Sequence, residues 1–286
     1  MIELKNVVKT FRRTRVLDGL SLTINDGDRI ALIGSNGAGK TTMIRCILGE
    51  YVHEGDVLVN GLSPRRDRIA VLRHVAFVPQ MPPPLRMPVR DLVAFAARLC
   101  GTTQARIGEI AARMGLDIEE VARRPFLKLS GGQKQKLLIA IAMGRDADIL
   151  IMDEPTANLD PAARQILFDL LSENLDKTMI ISSHRLEEVA MLVNRVIELD
   201  RGRVVLDDRV EDAIDPGLKQ KVRITLRRPD EAFAKAISEW GFTSSDNVEW
   251  SGVIAGPDRL RFLGMLARYS GVLAEVEMRE LAREAA

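Results

Sequence analysis

Gly34-Ser35-Asn36-Gly37-Ala38-Gly39-Lys40-Thr41-Thr42 is the stretch that decides how this chain reads. It fits the spacing G-x-x-x-x-G-K-[ST], in which glycines let successive backbone N–H groups turn inward around an anion. Before it comes Arg29-Ile30-Ala31-Leu32-Ile33, short and nearly all apolar, the pattern of a strand buried on both faces. After it, Lys40 to Leu48 reads as a helix stopped by Gly49. Strand, glycine-rich turn and helix in that order make a cradle for phosphate, and the helix N-terminus adds its partial positive charge. Lys40 is then placed to reach the β- and γ-phosphates of a nucleoside triphosphate, and the Thr41 hydroxyl to ligate Mg²⁺. The expected fold class is α/β, a P-loop NTPase.

Working outward, Ile2-Glu3-Leu4 and Leu20 to Ile24 alternate as strands, the second ending at the turn Asn25-Asp26-Gly27-Asp28. Asp56 to Val59 is another strand, closed by Asn60-Gly61. The segment Met81 to Pro88 holds four prolines and cannot be a helix interior. Val89 to Leu99 and Gln104 to Met114 follow as helices, so residues from about 81 to 145 read as a helical subdomain. Parallel-sheet texture returns at Ile149 to Met152 and Met179 to Ile181, with a helix from about Pro161 to Leu171 between them.

Two further stretches carry chemistry. The run Asp148-Ile149-Leu150-Ile151-Met152-Asp153-Glu154 is a central strand that ends in Asp153 at the carboxyl edge of the sheet, where ligands bind. Asp153 is placed to hold Mg²⁺, directly or through water, and Glu154 to polarise an attacking water. In Leu129-Ser130-Gly131-Gly132-Gln133, a serine and two glycines open the helix Gln133 to Met143, a second anion-ready helix start. Two such starts about 90 residues apart exceed what one nucleotide in one chain needs.

From these residues the chain, over positions 1 to about 210, resembles the ATP-binding subunit of an ABC transporter. Leu129 to Gln133 is similar to that family's LSGGQ signature without a substitution. The resemblance implies ATP and Mg²⁺ as the bound pair. It places Phe11 where the family has an adenine-stacking aromatic, with Val16 nearby; the other reading of Phe11 is a core aromatic. Gln80 resembles the glutamine that contacts Mg²⁺ and the attacking water, and His184 the histidine that touches the γ-phosphate. Ala157-Asn158-Leu159-Asp160 resembles the loop that crosses to the partner subunit. The implied assembly is a head-to-tail dimer, in which Ser130, Gly131, Gly132 and Gln133 of one copy close on the ATP held by the other.

Near Asp215-Pro216-Gly217 the chain reaches a plausible linker, which divides it into an ATPase domain at 1–215 and an accessory domain at 218–286. The latter reads strand Val222 to Leu226, helix Asp230 to Trp240, strands Asn247 to Trp250 and Val253 to Ala255, helix Asp258 to Tyr269, strand Val272 to Met278. That βαββαβ order suggests a small ferredoxin-like α+β domain. Both tryptophans fall there, consistent with a separate core. Its role divides between stabilising the ATPase pair and regulation by a ligand.

Composition bounds the partners. Net charge is only +1 over 286 residues, so no nucleic-acid partner is expected. Cys46 and Cys100 share no metal or redox spacing, which favours a reducing compartment. Met1 to Lys5 lacks the layout of a signal peptide, and no apolar run approaches the ~18 residues that span a bilayer. The expected place is therefore cytoplasmic, peripheral on the inner face of the membrane through a permease partner. The proline-rich stretch after Gln80, up to Pro88, is the candidate docking surface for that permease, or else an ordinary loop. Resemblance to two-component exporters of the ABC-2 type favours export. The alternatives are an importer ATPase with a regulatory tail and a soluble ABC ATPase outside transport.

Overall fold

The computed structural model describes residues 1–183, 186–209, 219–255, 262–263, 265–266, 269 and 271–280. In chain order the elements are β1 (Ile2–Phe11), β2 (Thr14–Ile24), β3 (Arg29–Ile33), α1 (Lys40–Ile47), β4 (Glu54–Val59), α2 (Arg68–His74), β5 (Val75–Val78) and α3 (Val89–Cys100). There follow α4 (Gln104–Arg113), α5 (Ile118–Val121), α6 (Gly131–Gly144), β6 (Ile149–Asp153), α7 (Pro161–Ser172), β7 (Thr178–Ser182), α8 (Leu186–Val189), β8 (Arg195–Asp200) and β9 (Arg203–Arg209). The chain closes with β10 (Lys219–Leu226), α9 (Glu231–Ser238), β11 (Thr243–Ser244), β12 (Glu249–Ala255) and β13 (Leu273–Glu280). It forms two compact units, one of Met1–His184 with Met191–Arg209, the other of Arg185–Ala190 with Val210–Ala286.

The first unit is built on a six-stranded sheet in the order β5-β6-β7-β3-β8-β9, parallel except for β9. β6 and β7 are buried at every position, as strands covered on both faces must be. A smaller antiparallel sheet, β2-β1-β4, shares one apolar core with β3 and α1 through Leu4, Leu20, Ile30 and Ile44. β1 and β2 run well past the short alternating stretches legible in the sequence, because Arg12 takes a left-handed conformation (φ 54°) and turns one strand tightly into the other.

The helical part has its own core, in which Val93 of α3, Ile107 of α4 and Leu137 of α6 meet Phe126. α6 begins at Gly131, two residues earlier than the sequence suggested. Ser130 Oγ accepts from the Gln133 amide while the Gln133 side chain accepts from the Ser130 amide, a reciprocal cap that fixes the first turn.

In the second unit the strands lie in the order β11-β12-β10-β13, all antiparallel. Trp250, Phe233, Phe242 and Phe262 form its core, and Trp240 packs edge-on to Phe262. The two strands read at 247–250 and 253–255 are one strand, β12; the separate partner is the short β11. A Cβ on Gly252, in the middle of β12, would come within 2.5 Å of the Phe242 ring, so the glycine makes room for an aromatic. The linker at 215–217 lies outside the described residues, as does most of the helix expected at 258–269.

Candidate functional site

β3 ends at Ile33 and the chain turns through the loop 34–39 into α1. Gly34, Gly37 and Gly39 all have positive φ (142°, 86° and 111°). Gly34 has a second constraint: a Cβ would lie 2.3 Å from the Leu199 carbonyl oxygen. The Ala38 amide closes the turn on the Ser35 carbonyl at 3.1 Å. Lys40, buried at the start of α1, donates through Nζ to the carbonyls of Gly34 (2.7 Å) and Ser35 (3.2 Å), so its ammonium holds the loop from within. Burial pushes the Lys40 pKa below its ordinary value, against the pull of the Glu154 and Asp153 carboxylates that raise it.

Asp153 is the last residue of β6 and is buried. Its Oδ2 accepts from the Thr41 hydroxyl at 2.8 Å and its Oδ1 from the Ser182 hydroxyl at 2.6 Å. Glu154 follows in the left-handed region at φ 48°, a costly place for a residue with a Cβ, and its amide donates to Ser182 Oγ at 2.9 Å. Loop, helix start and carboxylates thus converge on one edge of the sheet. Gln80 reaches that same edge from the neighbouring strand, two residues beyond β5, with its side chain exposed.

The donor set suits Mg²⁺: a hydroxyl and a carboxylate, both oxygen ligands, already touching at the mouth of a phosphate cradle. Among the described residues no group of three or more His, Cys, Asp or Glu side chains forms a protein cage for a metal. A small hard cation held by two protein oxygens, and otherwise by phosphate and water, matches that arrangement.

A second cluster forms at the start of α6. An ideal Cβ on Gly132 would lie 3.1 Å from the Asn158 carbonyl, and one on Gly131 would lie 3.6 Å from Asn158 Oδ1. Gln135 donates to the Pro155 carbonyl at 3.2 Å, tying α6 to the residue after Glu154. Asp160 is already engaged in its own chain: Oδ1 caps α7 through the Ala163 amide (2.8 Å) and Oδ2 pairs with Lys136 (3.4 Å). The Ala163 amide, ahead of Lys136, holds its carboxyl below the usual range.

Phe11 ends β1 half exposed, with its ring edge-to-face with Tyr51 at 5.1 Å and the Lys9 ammonium 4.6 Å from its centroid. The Val16 carbonyl lies beneath the loop, 3.1 Å from where a Cβ on Gly39 would stand. His184 lies outside the described residues. Sequence reasoning missed Ser182, Tyr51 and Gly202. The only available signal for Ser182 was its place at the end of the strand that pairs with β6.

These features define a nucleotide-binding cassette. Residues 17–157 match the sequence profile of the ABC transporter family. An uncharacterised ABC transporter ATP-binding protein of Bacillus subtilis (strain 168), YhcH, is 33% identical over 86% of this chain and 82% of its own length. A Nod factor export ATP-binding protein I of Sinorhizobium fredii is 36% identical over 75% of this chain and 64% of its own. The methionine import ATP-binding protein MetN of Bartonella henselae is 29% identical over 96% of this chain and 85% of its own. Among solved structures, a dimeric post-hydrolysis ATP-binding cassette bound to ADP and phosphate superposes with a TM-score of 0.64 at 25% identity, covering 73% of this chain and 98% of its own. The chain belongs to the ATP-binding subunits of ABC transporters, an ATPase family. No helix among the described residues is long and apolar enough to cross a membrane.

Proposed function

We propose that this chain hydrolyses ATP as one half of a head-to-tail homodimer and drives a separate membrane permease. The observation that carries this reading is an asymmetry between its two phosphate-ready helix starts. The one at Lys40 has Thr41, Asp153 and Glu154 beside it; the one at Gly131 is capped by Ser130 and Gln133 and faces solvent. Each start completes a site only if a second copy brings its Ser130–Gln133 over the ATP held by the first. The dimeric ADP-bound cassette gives the likeness on which this rests.

Within such a site the loop 34–42 and Lys40 bind the β- and γ-phosphates. Thr41 and Asp153 hold Mg²⁺, with Gln80 reaching in from the adjacent strand, and the ion neutralises phosphate charge when bound. The Glu154 carboxylate takes a proton from the attacking water as the water's oxygen bonds to the γ-phosphorus and the bond from that phosphorus to the bridging oxygen breaks, leaving ADP and inorganic phosphate. Asp160 places the start of α7 at the dimer boundary. His184 contacts the γ-phosphate, a role that rests on the family resemblance alone. Phe11 and the neighbouring Val16 seat the adenine.

The permease meets the stretch from Gln80 to Pro88, where Met81 is 78% exposed beside three consecutive prolines, a stiff apolar presentation. The protein then works on the inner face of the membrane. Export is the favoured direction. A second reading, an importer with a regulatory tail, draws support from the alignment with the methionine import relative, which runs over 96% of the chain and so into the second unit.

The test is Glu154→Gln in the full chain. ATP and Mg²⁺ should convert that variant from monomer to a stable dimer in analytical ultracentrifugation, with turnover reduced about 100-fold or more. Unchanged turnover, or no ATP-dependent dimer, would sink the reading.

A further inference from the structure

Ser182 is the last residue of β7, directly across from Asp153 in the parallel ladder, and its side chain is fully buried. Its one hydroxyl makes two bonds with opposite roles. It donates to Asp153 Oδ1 at 2.6 Å and accepts the Glu154 amide at 2.9 Å. The donated bond fixes the rotation of the Asp153 carboxylate, which leaves Oδ2 turned toward Thr41 at 2.8 Å. The accepted bond anchors a backbone position held in the left-handed region, since Glu154 sits at φ 48° where a non-glycine residue is strained.

We infer that Ser182 is a positioning residue for hydrolysis, which sets the carboxylate of Asp153 for Mg²⁺ and the backbone of Glu154 for water with a single hydroxyl. The inference rests on the reading of Asp153 and Glu154 given under Proposed function. A buried hydroxyl could serve only to satisfy the strand end, so the two roles must be separated by measurement.

A merely structural serine would affect stability alone. A positioning serine predicts a split. Ser182→Ala should lower kcat by about 10- to 100-fold, the range for loss of one oriented catalytic contact. Its KM for ATP should change by less than about 3-fold, because the loop and Lys40 that bind phosphate are untouched. The Mg²⁺ concentration that half-saturates binding of a fluorescent ATP analogue, read without turnover, should rise several-fold, because the Asp153 carboxylate is no longer held. Ser182→Thr retains the hydroxyl on a strand-favouring residue and should restore most of kcat and the Mg²⁺ response.

Glu154→Gln and the double variant are run in parallel on the full chain. If Glu154→Gln is inactive and adding Ser182→Ala lowers the residual rate no further, the two residues act as a unit. If Glu154→Gln turns over normally, the reading of Glu154 fails. If Glu154→Gln is inactive while Ser182→Ala keeps wild-type kcat and Mg²⁺ response, only the role of Ser182 is overturned. An equal loss in Ser182→Ala and Ser182→Thr, tracking a drop in Tm, also overturns it.

Discussion

The Gly202 amide donates to the carbonyl of Ala38 at 2.9 Å, and the Gly202 carbonyl accepts from the Asp18 amide at 3.1 Å. The turn between β8 and β9 thereby props the phosphate loop from below and ties it to β2. Gly202 has φ 75°, and a Cβ there would come within 2.2 Å of the Val16 carbonyl oxygen. Both the conformation and the space demand glycine.

Gly202→Ala should therefore destabilise the chain by about 2–3 kcal/mol or more, combining left-handed strain with a backbone clash. It should also weaken ATP binding, because the loop rests on this turn. Gly61→Ala is the control: φ is 76° but nothing lies within 4 Å of its Cβ, so only about 1–2 kcal/mol of strain applies. Urea unfolding and nucleotide titration of the two variants check this. Equal stability losses, or unchanged affinity in Gly202→Ala, would contradict the prop.

The contrast between Gly202 and Gly34 explains how far the sequence could be read. Gly34 stands in a spaced motif bounded by an apolar strand and a helix, so local pattern alone exposes it. Gly202 lies in an ordinary hairpin turn more than 160 positions later, and its reason is a contact with Val16 that only folding creates. Ser182 and Tyr51 escaped for the same reason: each acts through a partner distant in sequence. Elements with strong local signals, such as β3, α1, α3 and α7, matched to within a residue or so. The weakly patterned β8 and β9 were missed, although β8 lies directly beside β3. The single strand at 249–255 reads as two in the sequence, and the reason Gly252 belongs inside it is its contact with the Phe242 ring, which only folding creates.

Ser130 has two duties, and they predict different readouts. As the cap of α6 its loss costs about 1 kcal/mol of stability. In the dimer reading it also faces the ATP of the other copy. Ser130→Ala should lower hydrolysis at least 10-fold while monomer affinity for ATP stays within about 2-fold, since the residues around Lys40 are intact. Isothermal titration under dilute, monomeric conditions separates the two. Abolished monomer binding would contradict a site completed by a second copy.

Arg195 joins β8 to two carboxylates, Asp28 at 2.7 Å and Asp207 at 2.7 Å, and donates to the Thr23 carbonyl. Its side chain is only 6% exposed, so Arg195→Ala leaves Asp28 buried without its main partner and should cost about 3–5 kcal/mol. The same cluster sets a pH response. Arg195 holds the Asp207 carboxyl below its usual 3.8. Its contribution is complete above the unfolded value and lost as pH falls through the lower folded one, so the window lies below about pH 4. Asp207 is partly exposed, which makes the effect modest. Asp207→Asn should flatten the acid limb of the stability curve below about pH 4 without changing its slope above pH 6. Parallel acid limbs in the two proteins would rule out this coupling.

Phe11 separates the two readings its position allows. A core aromatic would be buried, and its truncation would cost about 3–5 kcal/mol of stability. Instead the ring is 38% exposed at the end of β1, braced on its edge by Tyr51 and approached by the Lys9 ammonium at 4.6 Å. A ring that packs edge-to-face with Tyr51 and still stands half exposed keeps apolar surface for a base, which favours stacking. Base stacking on an aromatic is worth about 1–3 kcal/mol, so Phe11→Ala should weaken ATP binding about 10-fold. Stability should fall much less than for a core residue. Phe11→Tyr should keep wild-type affinity, because the stacking surface is the ring. Tyr51→Ala should produce an intermediate loss, since it removes the brace and leaves the ring. An affinity unchanged in Phe11→Ala, with a large drop in Tm, would return the residue to the core.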